Sequence, residues 1–175
     1  MHRSRQIRQG RLVASEIGKY EALFALANGQ LGIRGTLDDG RTVYKSGTFL
    51  NGFYDTEPIA YGEPAFGYAR NRQRMLNITD GMRFDLWIDD TPFDLGTGNL
   101  ERFERCLDIR SGVLAADYRW RSPDGVLVEL HTERIVPFTR RATAAVRWHL
   151  RLPEESAQVV LVSSIISRVK ADEAT

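Results

Sequence analysis

The chain has 175 residues, 42% of them hydrophobic and 27% charged, which fits one soluble globular domain of ordinary size. A chain of this length can bury roughly 70% of its unfolded surface, so a core needs no metal or disulfide support. The formal net charge of +1 supplies no global field for nucleic acid or an acidic membrane surface, and neither is expected as a partner.

Residues 1–15 begin with His2, Arg3, Arg5, Arg8 and Arg11. They are expected to form a basic, solvated tail, with the folded domain running from 16 to 175. No apolar signal core is present at the start, and no apolar stretch is long enough to span a bilayer. Cys106 is the single cysteine, so no intrachain disulfide can form. A reducing compartment, the cytoplasm, is the expectation.

Residues 16–26 carry the one short helical potential. An apolar run then meets Asn28-Gly29, whose glycine supplies the positive φ of a tight turn. Gly32 and Gly35 relax a strand or admit a close neighbour. Residues 47–53 read as a short strand, with Phe49 and Phe53 on one face. Residues 52–70 then read as a long loop punctuated by Pro58, Gly62, Pro64 and Gly67. Four aromatics, Tyr54, Tyr61, Phe66 and Tyr68, argue that this loop is ordered and functional.

The rest alternates with period two. Met82, Phe84, Leu86 and Ile88 share one strand face, and Leu114, Ala116, Tyr118 and Trp120 share another. Ser122-Pro123-Asp124-Gly125 has turn chemistry. Residues 126–136 form a long strand, with Val126, Val128 and Leu130 opposite Glu129, His131 and Glu133. Residues 144–152 form the next, ended by Pro153. Residues 157–166 have almost no polar face and are expected to be a central strand covered on both sides. Short polar turns between these strands predict an antiparallel meander. The fold class is mostly β, an antiparallel sandwich.

Paired carboxylates suit sugar hydrolysis. Asp38-Asp39 and Asp89-Asp90 fall at turns, where aspartate serves the backbone. Glu101 and Glu104 form another pair. Glu129, His131 and Glu133 line one strand face, suited to a cation or a proton shuttle. The solvated face of an antiparallel strand gives the same pattern. Three histidines and one cysteine support neither a metal centre nor a Ser-His-Asp arrangement, and no Gly-Lys-Ser/Thr follows the glycines of 29–35. Cys106 reads as a small apolar group. No catalytic residue, metal or cofactor is therefore assigned. The aromatics Tyr54, Tyr61, Phe66 and Tyr68 can stack on sugar rings, dock another domain, or cover the end of the sandwich.

Several segments together resemble one family. They are Glu21-Ala22-Leu23-Phe24-Ala25-Leu26-Ala27-Asn28-Gly29-Gln30-Leu31-Gly32-Ile33-Arg34-Gly35, Gly47-Thr48-Phe49-Leu50-Asn51-Gly52-Phe53-Tyr54-Asp55 and Leu76-Asn77-Ile78-Thr79-Asp80. They continue with Arg105-Cys106-Leu107-Asp108-Ile109-Arg110-Ser111-Gly112-Val113-Leu114 and Glu133-Arg134-Ile135-Val136. In order and spacing the chain resembles the amino-terminal domain of glycoside hydrolase family 65, which includes maltose, trehalose and kojibiose phosphorylases. The resemblance implies a super-sandwich type of β domain, here incomplete, preceding an (α/α) catalytic barrel that is absent from these residues. It implies a parent enzyme acting on α-glucosidic bonds of a disaccharide. If that parent is a phosphorylase, inorganic phosphate is its co-substrate. The partners implied are the barrel of the same polypeptide, the disaccharide and a homodimer. A stand-alone carbohydrate-binding or structural module is the alternative.

Overall fold

The computed structural model describes residues 5–63 and 65–167; His2, Arg3, Pro64 and residues 168–175 lie outside the described residues. Among the described residues, twelve strands form three antiparallel sheets. The five-stranded sheet has the order β1-β8-β9-β10-β11, from Gln6–Gln9, Asn99–Asp108, Val113–Arg121, Leu127–Ile135 and Ala145–Arg151. A three-stranded sheet, β12-β6-β7, comprises Val159–Ser167, Thr79–Ile88 and Thr91–Pro92. A four-stranded sheet, β2-β3-β4-β5, comprises Leu26–Ala27, Leu31–Ile33, Thr48–Pro58 and Asn71–Asn77. The one α-helix among the described residues, α1, spans Ile17–Leu23 and follows a 3-10 turn at Ala14–Glu16.

Two cores lie on the inner face of the five-stranded sheet. In the first, Phe103, Ala116, Tyr118, Trp120, Val128 and Leu130 pack against Leu86, Ile88 and Phe93 of the β6–β7 side. Trp120 is completely buried. Its indole donates to the Thr97 carbonyl at 2.9 Å, and Phe93 meets it edge-on at 5.2 Å. In the second, Leu107, Leu114 and Val136 pack against Phe24, Leu26, Leu31 and Ile33. The alternation of β9 matches its burial position by position. The result is a mostly-β sandwich.

The turn chemistry is realised in detail. Gly29 has φ +84° at the β2–β3 hairpin. The Asn28 side chain accepts from the Gln30 and Leu31 amides and donates to the carbonyls of Pro137 and Arg141. One residue thus closes the hairpin and ties it to the segment after β10. A Cβ at Gly35 would sit 2.4 Å from that of Phe24, so the glycine is needed for close approach. In the Ser122–Gly125 turn, the Gly125 amide donates to Ser122 O and φ is +98°.

Four expectations are corrected. Residues 6–9 are not a solvated tail. They pair with β8 from Gln6↔Asp108 to Gln9↔Arg105, Ile7 packs on the second core, and Gln9 is buried. The loop expected over 52–70 is shorter, because β4 runs on to Pro58 and pairs with β5. A register shift between Phe49 and Tyr54, with Gly52 at φ +99°, breaks the alternation that would have revealed the strand. The meander β8–β9–β10–β11 forms, but the chain then crosses to the other layer, where β12 pairs with β6 instead of β11. Finally, β12 is not covered on both sides: Val159, Val160, Leu161, Val162 and Ile165 are 40–77% exposed. It is an edge strand, and hydropathy alone does not distinguish a covered strand from an exposed apolar one.

Candidate functional site

The β4–β5 hairpin is an arm, exposed along most of its length. Its polar residues satisfy one another across the strands. Arg72 Nε donates to Glu57 at 2.8 Å, and Arg74 pairs with the same carboxylate. The hydrogen bond from Arg72, outweighing a modest burial effect, holds the Glu57 carboxyl below its usual range. The loop 59–70 closes through the Ile59 amide and the Arg70 carbonyl, 2.9 Å apart. Tyr61 and Tyr68 meet there with ring centroids 4.9 Å apart, and the Tyr61 hydroxyl donates to Ala69 O at 3.0 Å. A shallow cup of about 340 Å³ lies between Ile59, Tyr61, Ala65, Tyr68 and Arg70.

The four aromatics singled out from sequence are therefore not one platform. Tyr61 and Tyr68 come together. Phe66 stands fully exposed without a ring partner among the described contacts, and Tyr54 lies on the shaft of the arm, opposite Met75, with its hydroxyl bonded to Asn51. Phe53 and Met75 are also exposed on the arm. The sequence analysis placed Phe53 on a strand face with Phe49 and passed over Met75, because the second strand had not been recognised.

The row Glu129, His131, Glu133 lies on the outer face of β10, and each member has a partner. Arg119 donates to Glu129 at 2.6 Å, His131 Nδ1 lies 2.8 Å from Asp117 Oδ1, and Arg147 pairs with Glu133 at 2.6 Å. Glu101 bonds Arg119 and Arg121, both at 3.0 Å, while Glu104 pairs with Arg8. This is a solvated, ion-paired sheet face. Cys106 is half-buried, and burial pushes its thiol up, away from the reactive thiolate.

The strongest electrostatics are buried. Asp38 and Asp39 do occupy a turn, but both are buried. Asp38 accepts from Arg134 Nε and Nη2, from the Tyr118 hydroxyl at 2.8 Å and from Thr132 Oγ1 at 2.9 Å. Those four bonds occupy the lone pairs of the carboxylate, leaving none for proton abstraction. Burial drives the Asp38 carboxyl up, but the charges of Arg134 and Arg105 and the Tyr118 hydrogen bond together hold it below its usual value. Burial, with the Asp38 charge second, raises the Tyr118 hydroxyl well above its usual value. Arg105 donates to the carbonyls of Gly35 and Thr36 at 2.6 and 3.0 Å and lies over the Phe24 ring. Glu21, on α1, accepts from the amides of Tyr44 and Lys45, both at 2.8 Å. Asp39 accepts from the amides of Arg41, Thr42 and Leu95. Together these groups clamp residues 34–46 between the sheets.

Sequence reasoning missed this cluster, although a signal existed. Arg105 falls in phase with Phe103 and Leu107, and Thr132 and Arg134 continue the apolar face of Val128 and Leu130. Charges in phase with a buried face need buried partners. Among the described residues, no group of three His, Cys, Asp or Glu side chains is placed to hold a metal ion, and no helix is long and apolar enough to cross a membrane.

Comparisons with known proteins agree with this geometry. Residues 7–175 match the family model described as glycosyl hydrolase family 65, N-terminal domain. An uncharacterised glycosyl hydrolase of Mycobacterium tuberculosis is 37% identical over 162 residues, covering 93% of this chain and 21% of that protein. An alpha,alpha-trehalose phosphorylase of Thermoanaerobacter brockii is 35% identical over 153 residues, covering 85% of this chain and 20% of the enzyme. A solved structure of a candidate kojibiose phosphorylase from the human microbiome superposes with a TM-score of 0.71 at 19% identity, over 86% of this chain and 20% of that one. The chain spans about a fifth of the length of the curated relatives it matches. With a family model covering nearly all of its length, on a sandwich whose family segments serve as turns and clamps, the chain belongs to glycosyl hydrolase family 65 as its N-terminal domain.

Proposed function

We propose that the chain is the non-catalytic sandwich of a disaccharide phosphorylase or hydrolase that acts on α-glucosidic bonds. It acts by docking a catalytic (α/α) barrel of the same polypeptide through the β4–β5 arm. The trehalose and kojibiose phosphorylases among its relatives support that substrate class, with inorganic phosphate as co-substrate and no organic cofactor. The observation that carries the reading is that the match falls on about a fifth of each relative, while Asp38, Asp117, Glu129 and Glu133 of this fifth are committed to arginines, a histidine and hydroxyls. Exposed Phe53, Phe66 and Met75 give the arm an apolar surface suited to a protein partner. The cytoplasm is the proposed compartment.

The test is an assay of the purified chain on trehalose, kojibiose and maltose, with and without phosphate. No turnover is expected. Turnover that disappears in Glu129→Gln or Glu133→Gln would overturn the reading. The Tyr61–Tyr68 pair and its cup favour a second reading, a carbohydrate-binding module. Calorimetry with the same disaccharides separates the two. Binding tighter than about 100 μM, roughly −5.5 kcal/mol, and lost in Tyr61→Ala and Tyr68→Ala, would select the module.

A further inference from the structure

Asparagine followed by glycine occurs twice in the chain, at Asn28-Gly29 and Asn51-Gly52. Both glycines have positive φ, +84° and +99°, so the glycine backbone does not separate the two. The side-chain amides do. Asn28 is buried, and its amide accepts from two backbone N–H groups and donates to two carbonyls. Asn51 is exposed, and its Oδ1 accepts from the Tyr54 hydroxyl. Residues three apart on a regular strand point to opposite faces. The irregularity between Phe49 and Tyr54 is what lets these two side chains meet. Gly52 itself has no register partner on β3 or β5.

We propose that Asn51 is a self-modifying deamidation site, in which Gly52 supplies the nucleophile and Tyr54 the oxyanion donor. The Gly52 nitrogen gives up its proton to solvent hydroxide and attacks Cγ of Asn51. Negative charge develops on Oδ1, where the Tyr54 hydroxyl already donates. Nδ2 takes a proton from water and leaves as ammonia, closing a five-membered imide. Glycine has no Cβ to obstruct that ring. Water then opens the imide at either carbonyl. Attack at Cγ gives aspartate; attack at the main-chain carbonyl gives isoaspartate, joined to Gly52 through its side chain. One water is consumed and one ammonia released, with no oxidant or reductant. Every protein group that the step uses lies within residues 51–54. The same step at Asn28 requires its four hydrogen bonds to break first. The product places a carboxylate where a neutral amide stood, beside exposed Phe53 and Tyr54.

The experiment is incubation of the folded 175-residue chain at mildly alkaline pH, followed by peptide mapping with mass spectrometry. Peptides containing Asn51 should gain the mass of exchanging NH2 for OH and split into aspartate and isoaspartate forms. In water labelled with heavy oxygen, the added oxygen should carry the label. Asn28 should convert at least about tenfold more slowly, because it waits for local opening. In the urea-unfolded chain the two sites should convert at similar rates. Tyr54→Phe should slow conversion at Asn51 about threefold, well short of the roughly 100-fold of a water-excluded oxyanion hole, because the hydroxyl stands in solvent. Asn51→Gln, which would need a larger ring, should stop it. Tyr54 is 43% exposed, so both variants are surface changes, and circular dichroism checks the fold. Asn28 converting as fast as Asn51 in the folded chain, or an Asn51 that stays intact while the unfolded chain converts, would overturn the proposal. A Tyr54→Phe rate equal to or above the wild type would overturn the role given to Tyr54. None of these outcomes bears on the absence of turnover, so the family-based reading is tested separately.

Discussion

The clamp around Asp38 and the edge strand β12 are opposite solutions to the same constraint, that polar backbone and apolar side chains both need partners. In the clamp, a charged residue sits on a buried face and everything it needs is supplied locally. Arg134, Tyr118 and Thr132 converge on one carboxylate, while Arg105 and Glu21 hold the backbone of the crossing segment. In β12, apolar residues stand on both faces with one backbone edge open. The clamp satisfies its charges within the described residues, whereas β12 leaves apolar side chains exposed.

The largest effects should come from the interior. Trp120→Ala removes a fully buried ring with its hydrogen bond to Thr97, and should cost about 3–5 kcal/mol in denaturant unfolding. Arg134→Met should cost a similar amount, about 3–5 kcal/mol, because it leaves the Asp38 carboxylate buried without its main counter-charge. The double variant Arg134→Met, Asp38→Asn should recover part of that loss, since the stranded charge is gone. A double variant no better than the single one would mean that the clamp is steric, not electrostatic.

The clamp also sets an acid limit. The folded Asp38 carboxyl lies below its unfolded value, so its stabilising contribution is complete above the ordinary carboxylate range, about pH 4, and is lost as pH falls through the folded value. Asp39 runs the other way. Burial raises its carboxyl, outweighing its hydrogen bonds, so its contribution grows as pH falls through that raised value. Stability measured against pH should therefore drop below about pH 4 in the wild type, with Asp38→Asn removing part of the drop.

The smallest effects belong to the exposed regions. Val160→Ala should cost less than about 1 kcal/mol and Phe66→Ala less than about 0.5 kcal/mol, the scale of surface sites, in chemical denaturation of the dilute chain. A loss of about 2–4 kcal/mol at Val160 would put β12 inside a core and remove the contrast drawn here.

What was legible in the sequence follows from the same contrast. Where one face is buried and one solvated, as in β9 and β10, period two named the strands and their faces. The Asn28-Gly29 and Ser122–Gly125 turns were legible because their chemistry is local. The β4–β5 arm was hidden because neither face is buried over most of its length, and a bulge at Gly52 shifts its register. Gln6–Gln9 was hidden for a related reason: a four-residue strand rich in polar residues shows little hydropathy pattern, and its partner lies about a hundred positions away. The clamp was overlooked because aspartates at a turn have a sufficient local explanation, while the partners of Asp38 on β9 and β10 are 80–96 residues distant. Of the candidate site, the aromatic residues were visible and their pairing was not. Tyr61 meets Tyr68 because the loop folds back on itself, whereas Tyr54 belongs to a strand.

Hydrogen exchange of the chain addresses the central contrast most directly. In dilute solution the amides of β9 and β10, paired on both sides, should exchange slowest, and β12 should exchange distinctly faster. If β12 is as protected as β10, the contrast between an internally satisfied layer and an exposed strand is contradicted.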